Sequence, residues 1–180
     1  MNDAIEGDWS LTIWVNTKNQ ATQLKEPDQH LRSLSSIFHC LEPIKFPAIS
    51  LYFDLVLERD DNQEEPKTRI NIVNFSPEIS SKLYVDLIYN IFKKNLQFRS
   101  DVTAIVLQRK NSNFMIMIDL KGFDNLSNPS NIEALNDFLN RNWTTPDDPH
   151  FSIEILPIPR PQYQNGLKKL STKNTADSVK

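Results

Sequence analysis

SPEISSKLYVDLIYNIFKKNLQFRSDVTAIVLQRKNSNFMIMIDL, residues Ser76–Leu120, carries both of the hydrophobic periods that decide the fold. At its start Ile79, Leu83, Leu87 and Ile91 repeat every four residues, with Tyr84, Ile88 and Phe92 widening the apolar face, which predicts an amphipathic helix. Ser76 suits the N-cap, Pro77 the first helical position and Glu78 the positive end of the helix dipole. Toward its end, Val102–Arg109 and Phe114–Leu120 are short runs rich in β-branched and aromatic residues. The polar stretch Lys110, Asn111, Ser112 and Asn113 between them predicts a hairpin.

Outward from this stretch the same two periods recur. Leu31, Leu34, Ile37, Phe38 and Leu41 predict a helix over Pro27–Leu41, and Ile132, Leu135, Phe138 and Leu139 predict another from Asn128 to Arg141. Trp9–Val15, Ile49–Glu58, Arg69–Phe75 and Phe151–Ile158 read as further strands. Strands that come in adjacent pairs between helices imply an α+β fold: a curved, mainly antiparallel sheet with about three helices packed on one face. One domain is expected over residues 9–159, with a flexible N-terminus at 1–8 and a disordered, mildly basic tail at 160–180. Glu58–Lys67, reading ERDDNQEEPK, is expected to be a solvated acidic loop.

Composition removes several function classes. A net charge of −3 gives no global basic field for non-specific nucleic-acid binding. Three glycines, with neither G-x-x-x-x-G-K-[ST] nor G-x-G-x-x-G, leave nucleotide-binding loops without support. His30, His39 and His150 are scattered, Cys40 is the sole cysteine, and no spacing fits a metal site. No G-x-S-x-G occurs, and the pairs Asp60–Asp61 and Asp147–Asp148 lack neighbouring apolar surface to raise a pKa. No catalytic residue, metal or cofactor is expected, and the chain is read as a binding protein rather than an enzyme. No segment approaches the roughly 20 apolar residues of a membrane helix, and the start is acidic rather than a leader, so a cytoplasmic or nuclear location is expected, not a secreted one.

The strand with Leu11, Thr12, Ile13 and Trp14, followed by helix, two strands, helix, hairpin, helix and strand, resembles the messenger-RNA cap-binding translation initiation factor family. From Ile79 to Leu120 the likeness can be laid out without gaps. The resemblance implies a concave sheet that holds a methylguanosine base between two tryptophans, a carboxylate on the base edge and basic residues on the phosphates. Here Asn19–Glu26 and Glu58–Lys67, the loops that should supply those tryptophans, contain no aromatic residue. Stacking contributes about 1–3 kcal/mol per base, so cap stacking is expected to be lost. Arg109 falls on a phosphate-contacting arginine of the family and Lys110 follows it, while later basic positions hold Asn111 and Phe114. Arg109 and Lys110 are therefore the candidate RNA contacts.

The resemblance also implies a partner's short helix packed on helices one and two. Arg32 stands for the tryptophan expected in helix one, and Leu83, Tyr84, Leu87 and Ile91 are the candidate partner contacts on helix two. The competing assignment of these four is to the core, where an amphipathic stripe ordinarily faces. The expected function is a non-catalytic binding or adaptor subunit of a ribonucleoprotein or multi-subunit assembly, with a protein partner. The alternatives are an RNA-binding protein using the Arg109/Lys110 hairpin and basic tail, or an assembly subunit of unrelated α+β fold.

Overall fold

Alternation along a strand sends successive side chains to opposite faces, and this sorts the sheet into a core face and an open face. In β1 (Ala4–Thr17), Trp9, Leu11 and Ile13 enter the main core, while Trp14 packs on the other side. The computed structural model describes residues 3–17, 20–45, 49–61, 65–93, 101–121, 129–143 and 152–158. Besides β1, the strands are β2 (Gln20–Gln23), β3 (Asp28–Ser33), β4 (Tyr52–Arg59), β5 (Thr68–Val73), β6 (Val102–Lys110), β7 (Asn113–Leu120) and β8 (Ser152–Pro157). The helices are α1 (Leu34–Leu41), α2 (Ser80–Lys93), entered through a 3-10 turn at Pro77–Ile79, and α3 (Pro129–Asn142).

All eight strands join one curved sheet in the order β2-β1-β4-β6-β7-β5-β8, with β3 also paired to β1 and every pairing antiparallel. The helices share one face. There Phe53, Leu55, Leu57, Ile70, Ile72, Ile105, Leu107, Ile116 and Ile118 meet Ile37 of α1, six buried apolar residues of α2, and Leu135 and Leu139 of α3. Tyr84 reaches through this layer to donate its hydroxyl to the carbonyl of Ile105 at 2.7 Å. Burial holds that phenol well above its ordinary pKa. The expected α+β architecture is the observed one.

Four local expectations change. Residues 28–33 are not the first turns of a helix: they pair with β1, and His30 takes φ 61, which a continuous helix excludes. The helix starts at Leu34 behind a reciprocal capping box of Ser33 and Ser36, and Asp3 accepts from the Ser35 backbone and hydroxyl. Residues 4–8 therefore belong to β1 rather than to a flexible lead-in, with Ala4 paired to Ser33. Ser76 holds the N-cap position in extended conformation without a side-chain cap bond, and the hairpin turn shortens to Asn111 and Ser112 because Lys110 pairs with Asn113. The expected tail at 160–180 lies outside the described residues.

Candidate functional site

Helix α2 shows its sequence only in part. Leu83, Tyr84, Leu87 and Ile91 are all 0 % exposed, and the second stripe, Ile88 and Phe92, is buried as well. The four candidate partner contacts thus present no surface of their own. Both stripes enter one core: Tyr84 reaches the Ile105 carbonyl of β6, and the Phe92 ring packs edge-on against Trp9 of β1, 5.1 Å between centroids. What α2 offers outward is Lys82, Val85, Asp86 and Tyr89, spaced three and four apart on its remaining side.

These residues line a cleft of about 460 Å³ with Phe38 of α1 and Trp143, which follows α3. Trp143 is fixed by donating its indole N–H to Asp86 Oδ2 at 2.7 Å, so its ring forms a wall of the cleft. Arg32 lies in β3, ion-paired to Asp8 at 3.2 Å, and the α1 side chain at this cleft is Phe38. A second apolar cleft of about 330 Å³ lies at the end of β1, between Ile13, Leu24, Ile44 and Ile49, with Lys25 and Lys45 at its margin. Leu24 there is half exposed.

The two candidate RNA contacts do not form one patch. Consecutive strand residues face opposite ways, so Arg109 falls with Ile105 and Leu107 on the helix side, and Lys110 with Val106 and Gln108 on the open side. Arg109 is engaged: its Nε donates to the Asn111 carbonyl at 2.8 Å, and its guanidinium lies 5.2 Å from the Phe114 ring centroid.

On the open face, Val56, Ala104, Val106 and Met117 are covered by Trp14 and Met115. Beside them Asp54 is 1 % exposed. Its two oxygens accept from Asn16 Nδ2 at 3.1 Å and Gln108 Nε2 at 2.9 Å, tying β1, β4 and β6 together. Burial raises its pKa, and the two amide bonds offset part of that rise. At the other end of the sheet Arg69 clasps the fully buried Asp119 through two bonds, at 2.7 and 3.2 Å. Of the chain's three tryptophans, Trp9 is in the core, Trp143 is on the helical face and Trp14 alone is on the open face. Among the described residues no group of His, Cys, Asp and Glu could hold a metal ion, and no helix is long and apolar enough to cross a membrane.

No family model matches the chain, and no curated protein matches it in sequence. Solved structures do match. Ascaris suum eIF4E-3 with the m2,2,7G cap superposes with a TM-score of 0.62 at 11% identity, covering 86% of this chain and 91% of that one. Schistosome eIF4E complexed with m7GpppA and 4E-BP gives a TM-score of 0.62 at 11% identity, over 89% and 90% of the two chains. C. elegans eIF4E-3 with the 4E-binding protein Mextli and a cap analog gives 0.62 at 9% identity, over 86% and 92%. The chain has an eIF4E-like fold.

Proposed function

We propose that this protein is a non-catalytic binding module that docks a short amphipathic helix of a protein partner across α1 and α2 and has given up cap stacking. The observation that carries this reading is the cleft of Phe38, Val85, Tyr89 and Trp143, an exposed apolar recess on the helical face rimmed by Lys82 and Asp86. A helix presenting apolar residues three and four apart would fill it, and the charged rim would set its direction. Two of the solved neighbours are complexes with a protein partner, 4E-BP and Mextli, which supports a partner-docking role for the shared fold. The placement of the tryptophans supports the loss of cap stacking. A sandwich needs two rings facing each other, and Trp9 and Trp143 are committed elsewhere. The RNA-binding alternative loses ground because, of its two candidate contacts, Arg109 faces the helices and only Lys110 is on the open side.

The test has two arms. A photo-crosslinking residue at Val85 should trap a partner whose amphipathic helical segment, synthesised alone, binds the full chain, and Tyr89→Glu should weaken that binding at least about tenfold at an unchanged melting temperature. Binding indifferent to Tyr89→Glu would remove the docking site. Calorimetry with m7GpppA should show no preference over the unmethylated dinucleotide, and a clear preference for the methylated base would restore cap recognition.

A further inference from the structure

β5 and β7 part company before β7 ends. Their last paired residues are Ile72 and Ile116, yet β7 runs on to Asn113. Asn74, at φ 64, turns the chain out of the sheet, and its side-chain amide donates to Ser152 Oγ at 2.6 Å to hold the turn. Phe75 then drops into the core. A notch is left beside Asn113–Met115, whose outer edge has no strand partner and no other backbone hydrogen bond among the described residues. Lys110 and Asn113 flank a two-residue turn and form a hydrogen-bonded pair, so by the antiparallel alternation the N–H and C=O of Phe114 face the notch.

The notch opens into a cleft of about 520 Å³, within the usual range of ligand sites. Val73, Phe75, Pro77, Phe114 and Met115 supply apolar wall, and Lys110 is the one charged lining residue among the described residues. Gln108 also lines it, and because Gln108 Nε2 is committed to Asp54, its Oε1 is left as the acceptor.

We propose that this notch binds an extended peptide segment carrying a carboxylate, which adds a short strand to the free edge of β7 and pairs its acid with Lys110. An unpaired strand edge bonds another peptide backbone in a directional way that a base or sugar cannot reproduce. A single lysine supplies little affinity for a phosphate chain, which depends on several cations acting together, whereas one carboxylate matches it. Three edge residues span about 10 Å, so three or so ligand residues set the recognised length. The carboxylate comes from an acidic side chain or from a chain end. The site lies away from the α1–α2 cleft, and its success or failure is independent of partner docking there.

The test uses the full ¹⁵N-labelled chain and the peptide Ac-Val-Glu-Val-Glu-Val-NH₂, with three companions: a Gln-for-Glu version, the free acid Ac-Val-Gln-Val-Gln-Val-OH, and a version N-methylated at alternate amides. Hexa-adenylate is the RNA arm. The acidic peptide should bind with a dissociation constant on the order of 100 μM and shift the amide signals of Asn113, Phe114 and Met115. N-methylation should weaken binding about tenfold or more, and the Gln version with its blocked end and Lys110→Glu should each weaken it about three- to fivefold, while Tyr89→Glu leaves it unchanged. Recovery with the free acid would assign the carboxylate to a chain end. Equal binding by the N-methylated peptide, no binding of any acidic peptide at millimolar concentration, or tighter Lys110-dependent binding of hexa-adenylate would each overturn the proposal.

Discussion

Replacing Leu87 by alanine measures how α2 is held. Leu87 is 0 % exposed and sits one turn from Leu83 and Ile91, both equally buried, in the layer between helix and sheet. Truncating a leucine in such a site removes its transfer free energy and leaves a cavity that helix and sheet close only partly, a combined loss of about 3 kcal/mol or more. For a domain of this size each kcal/mol moves the midpoint by about 2–4 °C, so the expected drop is about 6–12 °C. Tyr89→Ala is the control: Tyr89 is more than a third exposed at the α1–α2 cleft, and its loss should stay within about 2 °C. Thermal melts followed by far-ultraviolet circular dichroism, with urea titrations to confirm an unchanged m-value, separate the two. A Leu87→Ala midpoint within about 2 °C of the parent, or equal losses in the two variants, would refute the placement of this stripe in the core.

Asp54→Asn should alter the pH profile of stability. The folded-state pKa of Asp54 is raised above 3.8, so its contribution is greatest below that value and is lost as pH rises through the folded pKa. Melting points of parent and variant should therefore diverge in favour of Asn between about pH 4 and neutrality, and parallel curves would contradict this. Arg69→Met strands the fully buried Asp119 and should cost about 3 kcal/mol, read by urea denaturation, with Arg69→Met/Asp119→Leu recovering most of it. Ser33→Ala removes one half of the capping box and should cost about 1 kcal/mol, measured in the same way.

Helices α2 and α3, the hairpin and the long strands were legible because each carries a strong period of its own. β2 and β3 were not: QATQ and DQHLRS hold few apolar residues, and they become strands because β1 is long enough for its outer edge to take two short partners in succession. Leu31 and Leu34 look like helix neighbours, yet Leu31 pairs with Trp9 inside β3 while Leu34 opens α1, with the N-cap Ser33 between them. For the site, the separation of Arg109 from Lys110 was legible in principle. A strand facing the core through Ile105 and Leu107 must send Arg109 the same way. Asp54 also had a signal, an acid inside the apolar run of β4, but its amide partners lie on strands whose register no local pattern reports. The α1–α2 cleft had the weakest signal, since Val85 and Tyr89 are unremarkable until Trp143 is brought beside them.

The strand order has a consequence for synthesis on the ribosome. Among the described residues β5 pairs only with β7 and β8, and both follow it in the chain. When Thr68–Val73 emerges, neither of its edges has a partner, and the first does not exist until residues as far as Leu120 have been made. Through that interval Ile70 and Ile72 travel as a bare apolar strand, the species most open to pairing with another nascent chain. The helix that intervenes, α2, can form from local contacts and shield one face, but it cannot close either edge. The order of synthesis thus leaves residues 68–73 as an unpaired strand until the hairpin that follows α2 has been made.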